Sequence, residues 1–220
     1  TRNSCYERDR KRMKAQTTMF GRMVKCYNLP LDEVADLNTK YETAKEKLNS
    51  FGHRLAGRLK SELEFTQLLQ STNIFKKITD CMLDYVDTCE NVNLTNNNFV
   101  IGVKNLNILS CWINDMKEGE YNPPHTHHDL TGWSTVLFLK VPEFENDAVQ
   151  EHKFKDGQLG FIEPNGVGTV WMKPKVGDFY IFEARHQHCV MPFKTKIKGK
   201  IRRSMSFNFI NNIASENSVS

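Results

Sequence analysis

The chain has 220 residues, 39% hydrophobic and 25% charged, with a formal net charge of +4. That is enough apolar material for a sizeable core, and too small a charge excess to argue for nucleic acid as a partner. No apolar run approaches the ~18 residues that a membrane-spanning helix needs, and no leader with an apolar centre opens the chain. The six cysteines include no CxxC pair and read as reduced thiols of a cytoplasmic protein.

Residues 1–28 are polar and basic, with Arg8-Asp9-Arg10-Lys11-Arg12-Met13-Lys14 as the densest stretch, and are expected to be a poorly ordered N-terminal segment. A helical support region is expected over 29–95. Leu29-Pro30-Leu31-Asp32 opens it, and Val34, Leu37, Tyr41, Ala44 and Leu48 recur at spacings of three and four. Leu55, Leu59, Leu63 and Leu68-Leu69 form a second, looser apolar set. Ile74, Ile78, Cys81-Met82, Tyr85 and Val86 predict a helix of about 18 residues. The Asn-rich stretch 91–98 then breaks the pattern.

From Phe99 the texture changes to short runs rich in Val, Ile, Phe and Trp, broken by Gly, Pro and Asn. The strands expected are 107–115, 125–127, 133–141, 158–162, 169–172, 178–183, 188–192 and 200–210. Such a series predicts a mainly β chain with a jelly-roll core over 96–213 and a tail at 214–220, the N-terminal helices covering one sheet.

Three of the chain's seven histidines fall in His125-Thr126-His127-His128-Asp129. Residues i and i+2 of a strand share a face, with Cα atoms about 6.5–7 Å apart. Both His125/His127 and His127/Asp129 can therefore converge on one divalent ion. Two histidines and a carboxylate with open positions are the ligand set of non-haem Fe(II) oxygenases. A distal ligand must come from Arg185-His186-Gln187-His188, and His188 is favoured because Val190 and Pro192 follow it at strand spacing.

A dicarboxylate held by such an ion needs a cation at its far end, a role that suits the planar fork of arginine. Alternation in the final strand puts Arg202, Ser204, Ser206 and Asn208 on one face and Arg203, Met205, Phe207 and Phe209 on the other. The polar face makes Arg202 the candidate. Lys194, Lys196, Lys198 and Lys200 share its parity, and only an interruption at Gly199 separates Arg202 from a solvated lysine face.

WINDMKEGEYNPPHTHHD, WSTVLFLKVPE, KPKVGDFYIFEARHQHCVMPF and IRRSMSFNF together resemble the Fe(II)/2-oxoglutarate-dependent oxygenases of the double-stranded β-helix type. More narrowly, they resemble a group from marine tailed phages and bacteria, to which LNTKYE and LAGRLKSEL are also similar. The resemblance implies Fe(II), 2-oxoglutarate and O2, with ascorbate as an accessory reductant, and hydroxylation with release of succinate and CO2. It matches His188 to the distal histidine, Arg202 to the co-substrate arginine and Ser204 to the serine of Arg-x-Ser. The superfamily's His-x-Asp falls on His127 and Asp129, whereas the narrower group's His-x-His falls on His125 and His127, and both remain open. Trp112, Asn114, Tyr121 and Trp133 are expected around the pocket, with Tyr121 beside the co-substrate. The substrate is expected to be a protein or peptide, a prolyl residue among the options, and the location the cytoplasm (of the infected host if phage-encoded). Loops at 143–157 and 163–168 are expected to set specificity. The alternative is a cupin-like metal-binding jelly roll without oxygenase activity, and behind it a phage structural protein that keeps only the fold.

Overall fold

The structure, a computed structural model, describes residues 15–19, 22–52, 56–93, 105–127, 131–145, 155–163 and 168–211. Its elements in chain order are β1 (Ala15–Met19), β2 (Met23–Asn28), α1 (Leu31–Ala44), β3 (Glu62–Glu64), α2 (Thr66–Leu69), α3 (Phe75–Asn93), β4 (Leu106–Met116), β5 (Asn122–His125), β6 (Trp133–Lys140), β7 (Leu159–Ile162), β8 (Thr169–Met172), β9 (Asp178–Glu183), β10 (His188–Val190) and β11 (Arg202–Asn211). Among the described residues they form two sheets. One runs β1-β2-β9-β6-β11-β4-β3 and the other β5-β10-β7-β8, and all the pairings are antiparallel. This is the mainly β jelly roll expected from the sequence. No helix is long and apolar enough to cross a membrane.

Strand alternation splits the core into two layers. On β6, β9 and β11, Leu137, Leu139, Phe179, Ile181, Met205 and Phe207 pack with Val34, Leu37 and Tyr41 of α1 and Ile78, Met82 and Tyr85 of α3. Their neighbours Val136, Phe138, Tyr180 and Phe182 pack instead with Leu159, Phe161 and Val190 of the other sheet. β6 and β9 are buried on both faces, which is why they read as unbroken apolar runs. Each fully buried large side chain stabilises the fold by about 1.5–3 kcal/mol relative to exposure.

Two expectations are corrected. Part of the segment over 1–28 is built into the fold: β1 pairs with β2, and β2 pairs with β9. The charge of Lys25 hid this strand's alternation. Lys25 is 7% exposed because its ammonium pairs with Asp84 of α3 and donates to Thr88 at 3.0 Å. Residues 1–14 lie outside the described residues. The looser set around Leu59 and Leu63 is not one helix. Leu63 packs on the helix side of the large sheet and Leu59 in the inter-sheet layer. Residues 62–64 form an edge strand on β4 and only 66–69 are helical. Leu55, the tail at 214–220 and most of the two specificity loops lie outside the described residues.

Candidate metal and co-substrate site

β5 and β10 are neighbours in the smaller sheet, with His188 directly opposite His125. Opposite residues of an antiparallel pair project to one face, and here the two imidazole centroids lie 4.3 Å apart. His127 follows the end of β5, fixed by its backbone N–H donating to the Ala184 carbonyl at 3.0 Å. Its ring lies near-parallel to that of His188 at 5.2 Å and 5.8 Å from that of His125. One ring nitrogen from each of the three lies within 4.8 Å of the others. That spread lets small ring movements bring all three to imidazole–metal distances of about 2 Å.

The ring hydrogens are set by the backbone. His125 Nδ1 lies 2.7 Å from the Pro123 carbonyl and His188 Nδ1 2.9 Å from the His186 carbonyl. A carbonyl only accepts, so each Nδ1 carries the hydrogen and each Nε2 presents its lone pair. The Ser134 hydroxyl lies 3.0 Å from His127 Nε2. Burial lowers the pKa of His125, and burial followed by the nearness of His125 and His127 pushes that of His188 well below the ordinary 6.5. Neutral imidazole, the ligand form, is therefore the resting state of both at neutral pH. Asp129 and His128 lie outside the described residues. His186 is buried against Phe161 and Phe182 and does not join the cluster.

The three histidines line a cavity of about 820 Å³ together with Arg202, Ser204, Ser206 and Asn208 of β11 and Trp112 and Asn114 of β4. Gly199, at φ +84°, interrupts the lysine run. Lys194, Lys196, Lys198 and Lys200 are exposed while Arg202 is 2% exposed. The Arg202 guanidinium sits 4.6 Å from the centre of the Phe138 ring and donates only to Met116 Sδ, at 3.9 Å. Its Nε and Nη2 have no partner among the described residues, and burial alone pushes its pKa down to about 9. A buried guanidinium without a counter-charge costs several kcal/mol unless an anion meets it. The same cavity holds the imidazole cluster, so the residues present fit a divalent ion with an anionic co-substrate.

Arg203 points the other way, as its parity requires, onto Asp115, Glu42 and Asn38. Two of the aromatic expectations are corrected. Tyr121 is 39% exposed and outside the cavity lining, its carbonyl accepting from the Arg58 N–H. Trp133 packs on Phe209 on the helix side. Glu62, Asn122 and Ser134 were not singled out from the sequence. Glu62 and Asn122 line the cavity, and Ser134 touches His127. For Ser134 the inward parity of β6 was the available signal.

Residues 110–208 match the family described as "Putative 2OG-Fe(II) oxygenase". Comparison with curated proteins finds no match. Among solved structures, a prolyl hydroxylase of Trichoplax adhaerens, in complex with a hypoxia inducible factor peptide fragment, is 13% identical with a TM-score of 0.56, covering 86% of this chain and 83% of its own. The viral collagen prolyl hydroxylase of Paramecium Bursaria Chlorella virus-1, in its 2-oxoglutarate complex, is 14% identical with a TM-score of 0.52, covering 89% and 94%. AviO1 of Streptomyces viridochromogenes Tue57 is 11% identical with a TM-score of 0.51, covering 85% and 90%. These likenesses concern the fold and carry nothing on the narrower phage group. The matched segment spans the strands that hold the histidine cluster and Arg202, and over it the chain is similar to a family of oxygenases whose cofactors are Fe(II), 2-oxoglutarate and O2.

Proposed function

We propose that this chain hydroxylates a side chain carried by a protein or peptide, with His125, His127 and His188 holding the Fe(II) and Arg202, flanked by Ser204, receiving the far carboxylate of 2-oxoglutarate. The observation that carries the reading is the coexistence, in one cavity, of three convergent imidazoles and a buried guanidinium with unpartnered nitrogens. Fe(II) with 2-oxoglutarate and O2 supplies the oxidising power for C–H hydroxylation, with succinate and CO2 released.

The protein's own part is positioning and charge. The Pro123 and His186 carbonyls fix the tautomers of His125 and His188. Phe138 supports the Arg202 guanidinium from one side, leaving its donors for a carboxylate. The inter-sheet aromatic layer shields the site from water. Three neutral imidazoles leave the charge of the ion to be offset by the co-substrate. Two of the structural neighbours, those of Trichoplax adhaerens and the Chlorella virus, are prolyl hydroxylases, so a prolyl residue is one acceptor this fold accommodates. A cytoplasmic setting suits both a ferrous ion and the thiols Cys26, Cys111 and Cys189.

The test is succinate release from 2-oxoglutarate in the presence of Fe(II) and ascorbate. The protein is expected to bind one divalent ion and produce succinate. Arg202→Met is expected to keep the ion while 2-oxoglutarate affinity falls roughly 30-fold or more, the penalty for removing one partner of a buried charge pair. Normal turnover by Arg202→Met would overturn the anchor, and a wild-type protein that takes up no metal would overturn the whole reading.

A further inference from the structure

The cavity contains a second charged pole that neither the metal nor the co-substrate occupies. Glu62 of the edge strand β3 is opposite Asn114 of β4, which is opposite Ser204 of β11. Glu62 and Ser204 are thus two strand spacings apart, roughly 10 Å. Glu62 is 3% exposed, lines the cavity, and its Oε2 has no partner among the described residues. The charged group that acts on it is another carboxylate, Glu120, which itself accepts from the backbone N–H groups of Lys60 and Lys117.

Two glycines make room for this carboxylate. A Cβ on Gly52 would stand 3.0 Å from Glu62 Oε2. One on Gly57 would stand 3.0 Å from Glu62 Oε1 and collide with Asn122 Oδ1. Glu62 on the large sheet and Asn122 on the small one therefore approach each other across the Gly57 backbone. Asn122 Oδ1 and Asn114 Oδ1 also lack partners. The result is a cluster of three buried oxygens, Glu62 Oε2, Asn114 Oδ1 and Asn122 Oδ1, that accept no hydrogen bond from the described residues.

We propose that this pole binds a cationic group of the primary substrate, a protonated amine or a guanidinium, with Glu62 as its counter-ion and Asn114 and Asn122 as further acceptors. The inference rests on the oxygenase reading above and adds the substrate's charge to it. A buried carboxylate facing only another carboxylate is costly, and an incoming cation removes that cost. The pKa of Glu62, pushed by burial and Glu120 to about 7, agrees with a site that waits for a positive charge. The two poles also sort the ligands. Arg202 attracts the anionic co-substrate, while Glu62 repels it and selects the cation.

The test uses full-length protein loaded with Zn(II), a redox-inert stand-in for Fe(II), and 2-oxoglutarate. The probes are N-acetyl-arginine amide and N-acetyl-lysine amide, against their neutral counterparts N-acetyl-citrulline amide and N-acetyl-norleucine amide, followed by NMR titration. The cationic probes are expected to bind roughly ten-fold or more tightly than the neutral ones. Glu62→Gln, which keeps the shape and loses the charge, is expected to erase that ratio. Gly57→Ala keeps the charge but fills the gap beside Asn122, and is expected to weaken the cationic probes alone. Equal binding of charged and neutral probes, binding of neither, or a preference that survives in Glu62→Gln would each overturn the proposal. Failure of the oxygenase reading shows separately, as absence of 2-oxoglutarate binding to the Zn(II) protein before any probe is added.

Discussion

Arg202 and Arg203 are adjacent in sequence, both buried, and opposite in meaning. Arg203 is compensated: its Nη2 donates to Asp115 at 2.7 Å, its Nη1 to Glu42 at 2.8 Å, and its guanidinium sits 4.4 Å from the centre of the Tyr41 ring. Arg202 has two unpartnered nitrogens and a depressed pKa. Strand parity in the sequence separated the two, because one face carried Met205, Phe207 and Phe209 and the other only small polar residues. Glu62 belongs with Arg202 as a charge buried at a cost. Its folded pKa of about 7 lies above the ordinary carboxyl value of 4.5, so stability from its neutral form is complete below pH 4.5 and is lost as pH rises through 7. Glu62→Gln is therefore expected to be more stable than the parent at pH 8, by up to roughly 3 kcal/mol, and to converge with it in acid. Urea denaturation at the two pH values reads the difference. A parent that is the more stable at pH 8 would mean that ionised Glu62 already has a counter-charge.

At the scale of elements, β4 and β6 to β11 were legible because two-fold alternation and turn residues bounded them, and α1 and α3 because their apolar residues recur at helical spacing, whereas the strand expected at 125–127 runs Asn122–His125 and leaves His127 beyond its end. β2 and β3 were not legible. In β2 the ion pair of Lys25 with Asp84 replaces an apolar contact that a pattern could have shown. In β3 the strand is three residues long and Leu59 and Leu63 imitate a helical spacing. The second failure concealed Glu62, one of the three cavity-side residues that were missed, while Ser134 was missed on a strand that was itself legible. Arg203 ties these layers together. Through Asp115 and Glu42 it joins β11, β4 and α1, and Lys140, Lys45 and Arg203 hold the Glu42 carboxyl well below the usual range. Breaking a buried pair by removing one partner costs about 3–5 kcal/mol. Arg203→Met is expected to lose stability of that order, whereas Arg202→Met leaves no buried anion behind and is expected to unfold no earlier than the parent. Thermal melts of the two variants side by side make the comparison. Equal destabilisation would deny the two arginines their different roles.

Considered as a whole, the molecule has an apolar layer under its helices that holds it together and an inter-sheet cavity that costs it stability. Unpaired Arg202, unpaired Glu62 and three clustered imidazoles all lie in the second. A ligand that binds only the folded state returns stability in proportion to RT ln(1 + [L]/Kd), about 2.7 kcal/mol at a hundred-fold excess over Kd. For a chain of this size that corresponds to roughly 5–10 °C in Tm. Mn(II) alone is expected to raise Tm, and 2-oxoglutarate to raise it further once the metal is present. Arg202→Met should respond to Mn(II) and not to 2-oxoglutarate, and His188→Ala to neither. The metal step depends on pH with a definite sign. Protonation competes with the ion, and burial has lowered the pKa of His125 and His188 below 6.5. Stabilisation by Mn(II) is therefore expected to persist at pH 6.5, where an exposed imidazole is half protonated, and to disappear only as pH falls further. A loss already complete at pH 6.5, or an unchanged response in His188→Ala, would show that these imidazoles do not hold the ion.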